Sequence, residues 1–74
     1  MSRLADARLA LASSLLVSMR YSPPATLDLE FRGGRVYRYF TVPRAVAAAL
    51  QGAASQGAYF NRSIKDRFPY QRLV

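Results

Sequence analysis

The chain has no cysteine, no histidine and only four carboxylates in its 74 residues. Without cysteine there is no disulfide, and without histidine as well no zinc site of the usual kind can be assembled. Cys/His and Ser/His/Asp nucleophilic schemes and metal-activated water are excluded by composition, and no cofactor is expected. Long apolar runs are also lacking. The longest strongly apolar uncharged run, Leu9 to Met19, falls far short of the ~20 residues that span a bilayer, so no membrane partner is expected. This stretch comes after Arg3 and Arg8 as a secretory signal core would. No small-x-small cleavage site succeeds it, and Arg20-Tyr21 continues a strand-like pattern. The expected reading is a folded segment of a cytoplasmic protein.

What remains is a small, basic, ordinarily hydrophobic chain, with 51% hydrophobic residues and a net charge of +7. A single domain over 1–74 is implied. Its size buries only about 60% of the unfolded chain's surface and leaves little room for an enclosed catalytic cavity. The charge is lopsided. In residues 1–31, Arg3, Arg8 and Arg20 cancel Asp6, Asp28 and Glu30. In residues 32–74, Arg32, Arg35, Arg38, Arg44, Arg62, Lys65, Arg67 and Arg72 face Asp66 alone and carry the whole +7. Such asymmetry favours polyanions or acidic protein surfaces. Ten of the eleven basic residues are arginine, which a GC-rich coding sequence explains as readily as selection for bidentate phosphate contacts.

Ser2 can cap a helix over 3–12, with Leu4, Ala7 and Leu11 on its apolar stripe. From Leu15 the period becomes two: Leu15, Val17, Met19 and Tyr21 form the inward set of a first strand, 15–21. Pro23-Pro24 ends it, since neither residue can donate to a ladder. A second strand, 26–32, turns Leu27, Leu29 and Phe31 inward, and a third lies at 35–41. Pro43 opens a helix over 43–53 with Val46, Leu50 and Ala53 on one face. Ser55 caps another over 56–67, where Phe60, Ile64 and Phe68 recur every four residues. Arg62 and Asp66 stand at i,i+4 within it. Pro69 closes that helix, and residues 70–74 form a short tail. The predicted fold is α+β: an N-terminal helix, a three-stranded antiparallel meander, and two C-terminal helices packed on one sheet face.

Gly33-Gly34 supplies the positive φ angles of a tight hairpin between the second and third strands. Two registers satisfy the pattern. A two-residue loop sets Phe31 opposite Val36 and throws Tyr37 and Tyr39 outward. A three-residue loop pairs Leu29 with Tyr37 and Leu27 with Tyr39, burying both tyrosines and setting Asp28 beside Arg38.

The order of these residues resembles a known family. Ser14 and the strand ending at Tyr21 precede Leu27-x-x-x-Phe31-x-x-Gly34 and Val36-Tyr37-x-Tyr39, then Val42-Pro43 and Leu50. Ser55-x-Gly57-x-Tyr59-Phe60-Asn61, Ile64 and Arg67-Phe68-Pro69-Tyr70 complete the sequence. Together they are similar to the KTSC domain, named for its occurrence at the C-terminus of some lysyl-tRNA synthetases and also found as a stand-alone small protein of bacteria or phages. The likeness covers residues 13–74 and leaves 1–12 as an N-terminal extension. Ser22 departs from it, standing where the family often has an acidic residue. The resemblance implies a Tyr-x-Tyr core at Tyr37 and Tyr39 and RNA binding. It supplies no catalytic residue.

Chemically, Tyr37 and Tyr39 can stack on bases, or can belong to the core. Arg35, Arg38, Arg44, Arg62, Lys65 and Arg67 are the candidate phosphate contacts. The single glycine of Gly57-Ala58-Tyr59-Phe60-Asn61 reads as a helix cap rather than a nucleotide loop. Asp28 and Glu30 share a strand face next to arginines and read as salt-bridged rather than as an acid/base pair. The expected function is a small, non-catalytic binding module for nucleic acid, RNA favoured over DNA. Docking on an acidic protein partner is the alternative, and a homodimer through an open sheet edge or face is a third option.

Overall fold

The computed structural model describes residues 8–74. Residues 3–7 of the predicted helix over 3–12 lie outside the described residues. The remainder of that segment is not helical: Leu9–Ala10 forms a short strand, β1. Leu9 and Ala10 pair antiparallel with Met19 and Ser18 of β2, Leu16–Ser22. Two further strands, β3 (Thr26–Phe31) and β4 (Val36–Tyr39), continue the meander. Helices α1 (Arg44–Gly52) and α2 (Gln56–Ser63) come next, and then β5 (Tyr70–Arg72). Among the described residues the sheet is five-stranded and antiparallel in the order β1-β2-β3-β4-β5. The three-stranded expectation is therefore corrected at both edges, and the N-terminal helix gives way to an edge strand. Alanine and leucine at positions 9–12 favour a helix locally, but the exposed edge of β2 provides ladder partners that an isolated short helix lacks.

The hairpin takes the three-residue loop. Phe31 N–H donates to Arg35 O at 2.8 Å across Arg32-Gly33-Gly34, and both glycines have positive φ, 99° and 93°. Leu29 pairs with Tyr37, Leu27 with Tyr39 and Asp28 with Arg38. Strand alternation then sends Leu27, Leu29, Phe31, Tyr37 and Tyr39 to one face and Asp28, Glu30 and Arg38 to the other. In β2 a bulge between Leu16 and Ser18 shifts the register by one residue. Leu16 is thereby fully buried while Val17 is only half-buried, which corrects the strict alternation expected through Val17. A bulge moves a strand's apolar set by one position without breaking the ladder.

Both helices close over the apolar face. Leu16, Met19, Leu27, Leu29, Phe31 and Tyr39 of the sheet meet Ala47, Leu50, Phe60 and Ile64, with Val42 sealing the β4–α1 corner. Pro43 is the N-cap of α1 rather than its first residue. Ser55 caps α2 as expected, its Oγ accepting from Ala58 N–H at 3.3 Å. However, α2 ends at Ser63, not 67. The Lys65 N–H reaches back to Phe60 O at 2.9 Å, and Asp66 is left-handed at φ 63°. A six-to-one closure of this kind ends a helix and removes Asp66 from helical spacing with Arg62. The turn redirects the chain so that 70–72, expected as part of a tail, adds β5 beside β4.

Candidate nucleic-acid interface

The termination of α2 and the arrival of β5 together create a cleft. Tyr70 lies opposite Tyr39 and diagonal to Tyr37 on the adjacent strand, a spacing at which aromatic rings on one sheet face touch. Its ring centroid is 5.5 Å from that of Tyr37 and 5.6 Å from that of Tyr39. Beneath them Phe60 of α2 packs edge-on against Tyr39 (5.9 Å) and Phe31 (5.2 Å). The three tyrosines differ in access. Tyr39 is 4% exposed, Tyr37 is half-buried, and Tyr70 is 57% exposed. Between this aromatic wall and the end of α2 lies an open cleft of about 260 Å³, which Arg35, Asn61, Lys65 and Asp66 also line. The Arg35 guanidinium sits 5.8 Å from the Phe31 ring centroid, within cation–π range.

The structure thus brings Arg35, Tyr37, Tyr39 and Lys65 together and places the other candidates elsewhere. Arg38 points from the opposite sheet face, where its Nε and Nη2 donate to the two oxygens of Asp28 at 2.8 and 3.0 Å. Arg44 lies over Tyr21 at 5.4 Å, and Arg62 over Tyr59 at 5.4 Å. Arg67 is exposed in the turn after α2. Sequence reasoning passes over Tyr70, Asn61 and Asp66. For Tyr70 a signal exists: Pro69 precedes residues able to pair as a strand, and a Pro immediately before a strand costs no ladder bond.

The outer sheet face is a charged lattice. Asp28 is only 7% exposed and is held between Arg38 and Arg20, whose Nη2 donates to Oδ2 at 3.1 Å. Beside it Ser18 Oγ donates to Glu30 Oε1 at 2.9 Å, and Arg8 approaches the same carboxylate at 3.7 Å. Burial pushes the Asp28 carboxyl up, but the hydrogen bonds and charges of Arg38 and Arg20 outweigh it and hold it below the usual value. Among the described residues no group of three or more His, Cys, Asp and Glu side chains could hold a metal ion, and no helix is long and apolar enough to cross a membrane.

Tyr39 titrates in the other direction. Burial, then the neighbouring Tyr37, Tyr70 and Asp66 groups, push its phenol up to about 12. A raised folded-state value stabilises the fold fully below the unfolded value of ~10 and progressively less as pH rises toward 12, a loss of up to about 2–3 kcal/mol. Urea midpoints measured from pH 9 to 12 should fall more steeply for this chain than for Tyr39→Phe, which keeps the ring and removes the titration. Parallel curves would mean that the phenol does not drive the loss.

Comparison with known proteins agrees with this architecture. The family model for the KTSC domain matches residues 12–68. The chain is 44% identical over 61 residues to a lysine–tRNA ligase of Nostoc, a match covering 81% of this chain and only 11% of the ligase. It is 43% identical over 68 residues to an uncharacterized protein of Stutzerimonas stutzeri, covering 89% of this chain and 96% of that one. The crystal structure of a KTSC domain protein from Yersinia pestis superposes with a TM-score of 0.85 at 30% identity, covering 92% of this chain and 97% of the other. The fold is therefore both a small protein by itself and a segment about a tenth the length of the ligases it matches. This chain belongs to the KTSC domain family.

Proposed function

We propose that this domain is a small, basic, non-catalytic module that binds single-stranded nucleic acid, RNA in preference to DNA. The observation that carries this reading is the cleft, where an exposed tyrosine, a half-exposed one and two cations, Arg35 and Lys65, converge. Unpaired bases stack on aromatic side chains while cations take the phosphates. Stacking falls to Tyr70 and Tyr37. Tyr39 supports them from the core, and Arg38 serves Asp28 rather than phosphate. The similarity to a segment of lysine–tRNA ligases supports RNA as the polymer.

The test is an anisotropy titration of a labelled short single-stranded RNA over a range of salt. With one or two phosphate contacts, from Arg35 and Lys65, log K should fall against log salt with a slope of about −0.7 to −1.4. Arg35→Glu with Lys65→Glu should weaken binding by about tenfold or more. A flat salt response, or an unaltered double variant, would overturn phosphate recognition. Stoichiometric co-purification of a protein after nuclease treatment would then favour docking on an acidic partner.

A further inference from the structure

The cleft carries charge of both signs, a feature that phosphate binding leaves unused. Asp66 stands at the end of α2 beside Lys65, while Arg35 enters from the hairpin and Tyr70 and Tyr37 supply the flat wall. Among the described residues Asp66, Arg35 and Lys65 form no ion pair within 4.0 Å. Phosphate alone would be repelled by a carboxylate at that position. A base bearing adjacent donors on one edge and adjacent acceptors on another would use both signs.

We infer that the cleft selects an unpaired guanine, stacked on Tyr70, with its N1–H and N2–H donating to the Asp66 carboxylate and its O6/N7 edge facing Arg35 or Lys65. This rests on the RNA-binding reading and adds the identity of the base. Guanine is the base whose two edges match this set. Its N1–H and exocyclic N2–H lie side by side, as a carboxylate's two oxygens require, and O6 and N7 form the acceptor pair that arginine and lysine read. Uracil offers a single ring N–H. Adenine and cytosine offer an amine whose ring neighbour on that edge is an acceptor, which a carboxylate repels. The cleft, at about 260 Å³, lies just below the roughly 300–1,000 Å³ usual for ligand pockets, in keeping with one base rather than a run of them. Asn61, also lining it, can donate or accept at the remaining base atoms.

The experiment compares short oligouridylates carrying one central guanosine, one adenosine or no purine, at a fixed low salt concentration. The guanosine oligomer should bind at least about five-fold more tightly than the adenosine oligomer, the lower bound for one good bidentate contact. Asp66→Asn should abolish that preference while binding to plain oligouridylate persists. Asparagine tolerates the left-handed φ of 63° at this position, so an unchanged melting curve is expected and a fold defect is separable. Tyr70→Ala should weaken both purine oligomers together. A preference that survives Asp66→Asn, or equal binding of all three oligomers, overturns the guanine assignment and leaves the RNA reading standing. Absence of binding to every oligomer overturns both.

Discussion

Phe60→Ala should destabilise this domain more than any other single truncation proposed for it, by about 3–5 kcal/mol. Phe60 is 4% exposed and is the residue of α2 whose ring meets both Phe31 of β3 and Tyr39 of β4. Truncating a buried phenylalanine costs about 3–5 kcal/mol, from lost transfer energy and the cavity left behind. At about 0.05–0.15 kcal/mol per residue, a chain this short has roughly 4–11 kcal/mol in total, so the loss runs from about a third of the stability to all of it. A collapse of neighbouring side chains would moderate it, but Leu50 and Ile64 are already fully buried and have little freedom to move in. Urea denaturation tracked by circular dichroism is the check, with Phe60→Leu as the milder control at about 1–2 kcal/mol. A cooperative Phe60→Ala transition near the original midpoint would show that the aromatic cluster is not what holds α2 to the sheet.

The second large effect belongs to the opposite face. Asp28→Ala removes the carboxylate that three guanidinium hydrogen bonds converge on and leaves Arg20 and Arg38 beside each other with no carboxylate between them. Removing one partner of a buried ion pair costs about 3–5 kcal/mol. Here the arginine side chains keep 24% and 36% exposure, so about 2–3 kcal/mol is the expected loss once solvent screening is allowed for. The pH dependence has a fixed sign. The folded-state carboxyl titrates below its unfolded value, so its contribution is complete above about pH 4 and is lost as pH falls through the folded value. Stability measured from pH 6 down to 2 should therefore decline for this chain and be flatter for Asp28→Ala. Equal acid limbs in the two proteins would refute the role given to the triad.

The elements legible in the chain are those whose pattern is local. Strands β2 to β4 come from period-two alternation and the glycine pair, α1 from its Leu50 stripe behind Pro43, and the start of α2 from Ser55. The hairpin pattern admits two registers: the two-residue version sets Arg38 on the apolar face opposite Leu29, whereas the observed three-residue version sets it beside Asp28. What escapes a reading of the sequence is non-local. Leu9 and Ala10 are strand residues because β2 has an open edge, and Tyr70 to Arg72 because β4 has one. Neither fact is encoded within the segment itself. The same holds for the site. Arg35, Tyr37 and Lys65 are legible as chemistry, but their convergence depends on a left-handed turn at Asp66, a position whose spacing from Arg62 resembles a continuing helix. Arg38 illustrates the converse: its side chain suits phosphate, and its register partner is a carboxylate.

The pairing of Tyr37 with Arg72 and of Tyr39 with Tyr70 also bears on the order of assembly. β4 and β5 form an antiparallel pair whose connection contains both helices, so this closure spans far more chain than the turns joining β2 to β3 and β3 to β4. The entropic cost of closure grows only logarithmically with length, but contacts of large sequence separation form slowly. Sequence separation therefore favours a meander that forms first and a last strand that joins after the chain of α1 and α2 has folded back. Until then β4 is a free edge bearing two tyrosines, the kind of surface on which chains associate wrongly. The strand that completes the cleft also ends that exposure, so one pairing event both builds the aromatic wall and removes the sticky edge.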